Sequence, residues 1–238
     1  RAELMRRYYG IREVIVAHFD DRMMHMPWED FITEFLVREH GAVHLVAGHD
    51  FHFGYKGEGN PDRLREKCAR LGVGCDIIPK VELDGITISS TYIRTLLAQG
   101  EIERANYFLG HPHTLTDTVH HGKKLGSTLG FPTVNLRFQP GVLIPARGVY
   151  AARVWFENGE SRCAVTNVGV RPTVDSHGEV NVEGFILDFD GDLYGQTVRM
   201  EFYRYLRGER KFPTLEALRE EIMRNAEETR AYFRGREM

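Results

Sequence analysis

Near residue 112 the hydrophobic pattern of this chain changes period, and that change limits the folds open to it more than any other feature. Before it, short apolar runs alternate with helical stretches. Glu13–Ala17, Val43–Gly48 and Cys75–Pro79 read as strands. Pro27–Val37 and Pro61–Leu71 carry apolar residues at helical spacing. Thr91–Gln99 and Glu101–Leu109 read as two short helices, each stopped by a glycine, Gly100 and Gly110. Strand–helix–strand alternation predicts a parallel sheet covered by helices. After it come short alternating strands, Val149–Phe156, Ser161–Val168, Val180–Leu187 and Thr197–Tyr205. Asn158-Gly159 is a hairpin signal, and Asp190-Gly191-Asp192 reads as a second tight turn. This pattern predicts an antiparallel meander or barrel. A last helix starts at Thr214, a good N-cap, with Leu215, Leu218, Ile222, Ala226 and Phe233 on the face expected to pack on that barrel. The predicted class is therefore α/β plus all-β, divided into residues 1–111 and 112–238, and 238 residues are comfortable for two domains.

The densest chemistry lies at the start of the second part. His120-His121-Gly122-Lys123-Lys124-Leu125-Gly126-Ser127 is basic and punctuated by glycine, and it leads into Leu129-Gly130-Phe131-Pro132-Thr133-Val134-Asn135. Glycines let backbone N–H groups face an anion, and lysines add positive charge. On an extended segment Thr133 and Asn135 point the same way. Two neutral oxygen donors so placed suit a hard cation such as Mg²⁺, whose other ligands are water and substrate phosphate. No G-x-x-x-x-G-K-[ST] occurs, so this is not a P-loop. The residues alone equally admit a Gly/Pro turn beside a buried Thr and Asn.

Composition excludes several other classes. Hydrophobic residues at 42% and charged residues at 27% describe a folded globular chain, and a net charge of −3 gives no reason to expect nucleic acid as a partner. Cys68, Cys75 and Cys163 are too few and too scattered for a disulfide framework or a zinc site. No apolar run approaches the roughly 18 residues that cross a bilayer. The expectation is a cytoplasmic protein with free thiols and small-molecule partners, no nucleic acid and no membrane; its oligomeric state is left open. Asp188, Asp190 and Asp192 fail as a calcium loop, because glycine and the last ligand stand at the wrong positions.

Gly-Phe-Pro-Thr-x-Asn after such a loop resembles the riboflavin kinase module of bacterial bifunctional riboflavin kinase/FAD synthetases. The resemblance continues in order through Asn167-Val168-Gly169-Val170-Arg171-Pro172-Thr173, Val182-Glu183, Asp188-Phe189-Asp190-Gly191-Asp192-Leu193-Tyr194-Gly195 and Leu206-Arg207-Gly208-Glu209-Arg210-Lys211-Phe212. It implies a partial Rossmann-like nucleotidylyltransferase domain followed by a six-stranded antiparallel kinase barrel with a C-terminal helix. The implied reaction is ATP + riboflavin → ADP + FMN, with Mg²⁺ or another divalent cation, and the parent protein also adenylylates FMN to FAD. By the same resemblance, Gly122 through Gly130, with Lys123 and Gly126 among them, form the phosphate loop, Phe131 and Pro132 also bind the nucleotide, Thr133 and Asn135 hold metal and phosphate, and Arg207 lies close to the flavin. Glu183 is implied as the base that takes the ribityl 5′-OH proton. Its strand alternation sets it opposite Val180 and Val182, which a plain surface glutamate would also satisfy. Two positions depart from the family pattern: Gly184-Phe185 stands where Thr-His is common, and Val134 where alanine is usual. A flavin-binding protein without turnover and an OB-type nucleic-acid barrel are the alternatives.

For the second activity the resemblance implies a triphosphate cradle at Ile88-Ser89-Ser90-Thr91-Tyr92-Ile93-Arg94, with Ser90, Thr91 and Arg94 as contacts. N-capping by Ser90 or Thr91 is the plainer account of the same residues. Asp50 and Phe51, within Gly48–Gly54, are expected to shape the nucleotide and flavin cleft. The family's His-x-Gly-His segment has no counterpart, and Arg1–Tyr9 reads as the middle of a helix. The expectation is an N-terminally truncated chain that keeps the kinase and is weak or inactive as an adenylyltransferase.

Overall fold

The computed structural model describes residues 2–121, 133–170 and 180–236, which form two compact units dividing between Ile88 and Ser89. In the first unit α1 (Ala2–Tyr9) and α2 (Asp21–Met24) precede α3 (Trp28–Asp30), which continues as the π-helix Phe31–Glu39. A βαβ unit follows: β1 (His44–Gly48), α4 (Pro61–Leu71) and β2 (Gly74–Ile78), with β1 and β2 parallel and in register from His44/Gly74 to Gly48/Ile78. The boundaries of α4 are local chemistry. Asn60 accepts from the Arg63 N–H, Pro61 opens the first turn, and Gly72 closes the helix at φ +68°. Ile32, Phe53, Leu64 and Cys68 form the core beneath this layer. A short hairpin, β3 (Glu82–Leu83) and β4 (Ile86–Thr87), ends the unit.

The run Glu13–Ala17 is not a strand. It belongs to no ladder, and Ile15 and Val16 are 63% and 83% exposed. β-Branched residues favour extension only where a neighbouring strand edge takes up their backbone groups.

The second unit starts with α5 (Ser90–Gln99) and α6 (Ile102–Leu109), closed by Gly100 and Gly110 in left-handed conformation. Asn106 ties α6 to the sheet by donating to the Phe202 carbonyl and accepting from the His113 N–H, at 2.7 Å each. The sheet has six antiparallel strands: β5 (His113–Thr118), β6 (Thr133–Arg137), β7 (Gly148–Trp155), β8 (Ser161–Val170), β9 (Val180–Ile186) and β10 (Thr197–Arg207). Their spatial order is β5-β10-β7-β8-β9-β6. The outer strands come together where the His120 N–H donates to the Asn135 carbonyl at 2.9 Å. Asp117 reinforces this seam by accepting from the Arg137 N–H and the Gln139 amide, both at 2.8 Å.

The strands put alternate residues on two faces. The inner face is filled by Leu115, Leu136, Tyr150, Val154, Val182 and Met200, all fully buried. The outer face carries α7 (Leu215–Phe233), whose Ala226 packs with Val149, Val165 and Leu187. Thr214 caps α7 as expected, accepting from the Ala217 N–H at 3.1 Å. Leu215 is not part of the packed face, being 54% exposed, whereas Glu221, Asn225 and Thr229 are buried.

The Asp190–Asp192 turn does not join a hairpin. β9 lies between β8 and β6, and β10 between β5 and β7, so residues 187–196 carry the chain from one part of the sheet to another. Asp188 instead pairs with Arg230 of α7 at 2.8 Å. By contrast, Asn158-Gly159 does turn the β7–β8 hairpin, with Gly159 at φ +85°.

Candidate active site

Strand register assembles the site. Residues directly opposite in a ladder share a face. Asn135 pairs with Glu183 across β6–β9, Glu183 with Asn167 across β9–β8, Asn167 with Val149 across β8–β7, and Val149 with Arg207 across β7–β10. One transverse row on the outer face therefore runs from Asn135 through Glu183 to Arg207. The next row begins Thr133, Phe185, Val165. Glu183 stands opposite the valines as its alternation requires: Val182 is fully buried and Glu183 is exposed.

Above these rows lies a cavity of about 310 Å³ between the sheet and the start of α7. Thr133, Asn167, Glu183, Phe185 and Arg207 line it from the sheet, and Arg210, Phe212 and Ile222 from the segment after β10 and from α7. Asn135 is 5% exposed and stands beside this lining. The Asn181 amide links the two polar groups, donating to Glu183 Oε1 at 3.2 Å and reaching Asn135 Oδ1 at 3.4 Å. Asn181 is two residues before Glu183, so the period-two rule that orients the glutamate points to it as well.

Arg207 is held rather than free to swing. Its Nε donates to Asn225 Oδ1 at 3.1 Å and lies 3.0 Å from Glu221 Oε1, and its Nη1 donates to the Gly208 carbonyl at 3.1 Å. Burial, then the nearby Arg210 and Arg224 charges, lower its guanidinium below the ordinary arginine value. The flat guanidinium lies over Phe212 at 5.5 Å. The cavity thus pairs a wall of aromatic and aliphatic surface with a carboxylate, an amide and a hydroxyl at one end and guanidinium groups at the other. That suits a planar ring system carrying a polar, hydroxylated tail.

Thr133, Asn135, Glu183 and Arg207, all singled out from sequence, are brought together here. Gly122, Lys123, Gly126, Gly130, Phe131 and Pro132 lie outside the described residues. Ser90, Thr91 and Arg94 are exposed in the first turns of α5, and none of them lines this cavity. The cap of that helix is Ser89, which accepts from the Tyr92 N–H at 3.2 Å, not Ser90 or Thr91. Asp50 and Phe51 belong to the first unit, both exposed, with Phe51 stacked on Phe53 at 5.2 Å. Among the described residues no group of three His, Cys, Asp or Glu side chains forms a metal cluster. Asn181, Glu221 and Asn225 were not singled out from sequence. The last two betray themselves only by helical spacing beside Leu218 and Ile222.

Comparison with known proteins fits this geometry. The riboflavin kinase family model matches residues 109–233, and the FAD synthetase model matches residues 1–92. A bifunctional riboflavin kinase/FMN adenylyltransferase of Listeria monocytogenes is 36% identical over 233 residues, covering 98% of this chain and 73% of that protein. One of Haemophilus influenzae is 38% identical over 220 residues, covering 92% and 71%. A crystal structure described as a macrolide-efflux protein from Streptococcus pneumoniae superposes with a TM-score of 0.84 at 29% identity, over 96% of this chain and 73% of that one. That likeness is one of fold. No helix among the described residues is long and apolar enough to cross a membrane. With matches over nearly its whole length and a six-stranded antiparallel sheet that carries the motif residues on one face, this chain belongs to the bifunctional riboflavin kinase/FMN adenylyltransferase family.

Proposed function

We propose that residues 112–238 transfer the γ-phosphoryl group of ATP to the ribityl 5′-hydroxyl of riboflavin, giving FMN and ADP. The observation that carries this reading is the ladder pairing of Asn135 with Glu183 at the rim of the cavity. In the step, the 5′-oxygen forms a bond to the γ-phosphorus while the bond to the bridging β–γ oxygen breaks. The hydroxyl proton passes to the Glu183 carboxylate. Asn181 donates to Oε1 and so helps hold the carboxylate in place for this transfer. Catalysis here rests on positioning and charge neutralisation more than on covalent chemistry.

Thr133 and Asn135 supply a hydroxyl and an amide oxygen on one strand face, beside a carboxylate. This hard, all-oxygen set fits Mg²⁺ or another divalent cation that takes most of its ligands from phosphates and water. When bound, such an ion offsets the charge of the ATP phosphates. Arg207 and Phe212 are assigned to the isoalloxazine ring. Residues 1–111 are assigned to the domain that adenylylates FMN to FAD in the parent protein, with Ser90, Thr91 and Arg94 as its ATP contacts and Asp50 and Phe51 as residues that shape its nucleotide and flavin cleft. Free Cys68, Cys75 and Cys163 support a reducing cytoplasm as the site of action.

The deciding experiment is chromatography of flavins after incubation of the protein with riboflavin, ATP and Mg²⁺. FMN is the expected product, and FAD beside it would assign the second activity to this chain as well. Riboflavin binding without any FMN would make it a flavin-binding protein without turnover.

A further inference from the structure

Glu221 is a carboxylate where an apolar residue would be expected. It lies on α7 between Leu218 and Ile222, which face the cavity, and it is 5% exposed. Burying a lone carboxylate is costly, and even a buried ion pair is often no better for stability than well-packed apolar side chains. Yet three guanidiniums converge on this one group. Oε1 lies 3.0 Å from Arg207 Nε, and Oε2 pairs with both Arg210 and Arg224.

Two of the three arginines, Arg207 and Arg210, line the cavity, and both lie over the Phe212 ring, at 5.5 and 4.9 Å. Without Glu221 the three like charges would repel one another, and two long side chains would regain rotamer freedom. With it, both are anchored through one planar carboxylate and stacked on one ring before any ligand arrives.

We propose that Glu221 is a positioning residue for flavin recognition: it holds Arg207 and Arg210 against Phe212 in the arrangement that receives the ring system of riboflavin. The inference rests on the kinase reading above and adds the residue that sets its affinity for the flavin. Glu183 and Thr133 stand at the other end of the cavity, so the ATP side is independent of this anchor.

The test is titration of riboflavin fluorescence with the protein, together with the KM for ATP and thermal unfolding. In Glu221→Gln the amide can still accept from Arg207, but its NH₂ meets other donors. Riboflavin Kd should rise roughly tenfold, the scale of a lost charged hydrogen bond, with the KM for ATP within about twofold. Glu221→Asp keeps the charge one methylene further back and should fall between wild type and Glu221→Gln, and it carries the test if the glutamine variant does not fold. Because Glu221 acts through Arg207 and Arg210, adding Glu221→Gln to a variant carrying both Arg207→Gln and Arg210→Gln should weaken riboflavin binding little further. Equal losses for riboflavin and ATP, a full further loss when Glu221→Gln is added to the Arg207→Gln/Arg210→Gln variant, or unchanged riboflavin affinity in Glu221→Gln would overturn the proposal. Wild-type protein that neither binds riboflavin nor forms FMN would remove the kinase reading itself, and the inference with it.

Discussion

The Asn181 side chain donates to Glu183 Oε1 at 3.2 Å from two positions earlier on β9, and its own 7% exposure fixes where that carboxylate sits. A base at the rim of a wide cavity needs such a tether, because a wandering carboxylate would seldom meet the hydroxyl at bonding distance. Asn181→Ala should lower kcat about tenfold with little change in either KM, the pattern of a group that orients the base without touching substrate. Steady-state kinetics with both substrates varied will show it. An unchanged kcat would remove Asn181 from the mechanism.

Glu183→Gln keeps the shape and loses the base. FMN formation should fall by about 10²–10⁴, while riboflavin fluorescence is still quenched on binding. Single-turnover phosphorylation separates the two effects, and near-normal turnover in this variant would exclude Glu183 as the proton acceptor.

Gly148 lies at φ +150°, and a Cβ there would stand 2.4 Å from the Arg207 carbonyl oxygen. The obstacle is backbone, so it cannot rotate aside. Gly148→Ala should cost about 2 kcal/mol or more and weaken riboflavin binding by displacing Arg207. Denaturant midpoints report the first effect and flavin titration the second. Normal stability would show that β10 yields more easily than its ladders suggest.

His113 is buried against Phe202, and its Nε2 lies 2.9 Å from the Leu143 carbonyl. Burial lowers the imidazole from 6.5 to about 4, against the opposing effect of that carbonyl. As pH falls from about 6.5 to about 4, the unfolded chain takes up a proton here that the folded chain refuses. Stability is therefore lost on acidification across that window, by on the order of 3 kcal/mol from this group. In His113→Gln that contribution disappears. Unfolding free energies at pH 7 and pH 4.5 should differ less in the variant, and equal pH dependence would refute the assignment.

Asp117 closes the β5–β6 seam with bonds to the Arg137 N–H and the Gln139 amide. Asp117→Ala leaves both donors without that acceptor, at a cost of about 1–3 kcal/mol. Exchange of the Arg137 amide hydrogen should accelerate, since β6 has lost its tie to β5. Retained protection would mean that the His120–Asn135 bridge suffices.

The division between sequence and tertiary structure follows the range of the interactions. Asn60-Pro61 and Gly72 bound α4, Thr214 starts α7, and Asn158-Gly159 turns the β7–β8 hairpin, because caps and tight turns are settled within a few residues. Period-two alternation likewise sets Thr133 beside Asn135 and turns Glu183 away from Val182. The motif blocks themselves are legible as letters. What they could not convey was the strand order. Glu13–Ala17 has strand composition but no ladder, and Asp190-Gly191-Asp192 has turn composition but joins strands that are not neighbours. Those outcomes depend on which distant edges compete to pair and which faces are buried, and no local window contains that competition. The same holds for the site. Glu183 reaches Arg207 only through Asn167 and Val149, and Glu221, paired with Arg224 within α7, meets Arg207 and Arg210 only once α7 lies on the outer face of the sheet. The sequence by itself determined the helix ends, the alternating faces and the chemical letters of the site. Only the tertiary structure decided which of those letters stand next to one another, because strand pairing and helix docking are chosen by burial over the whole chain.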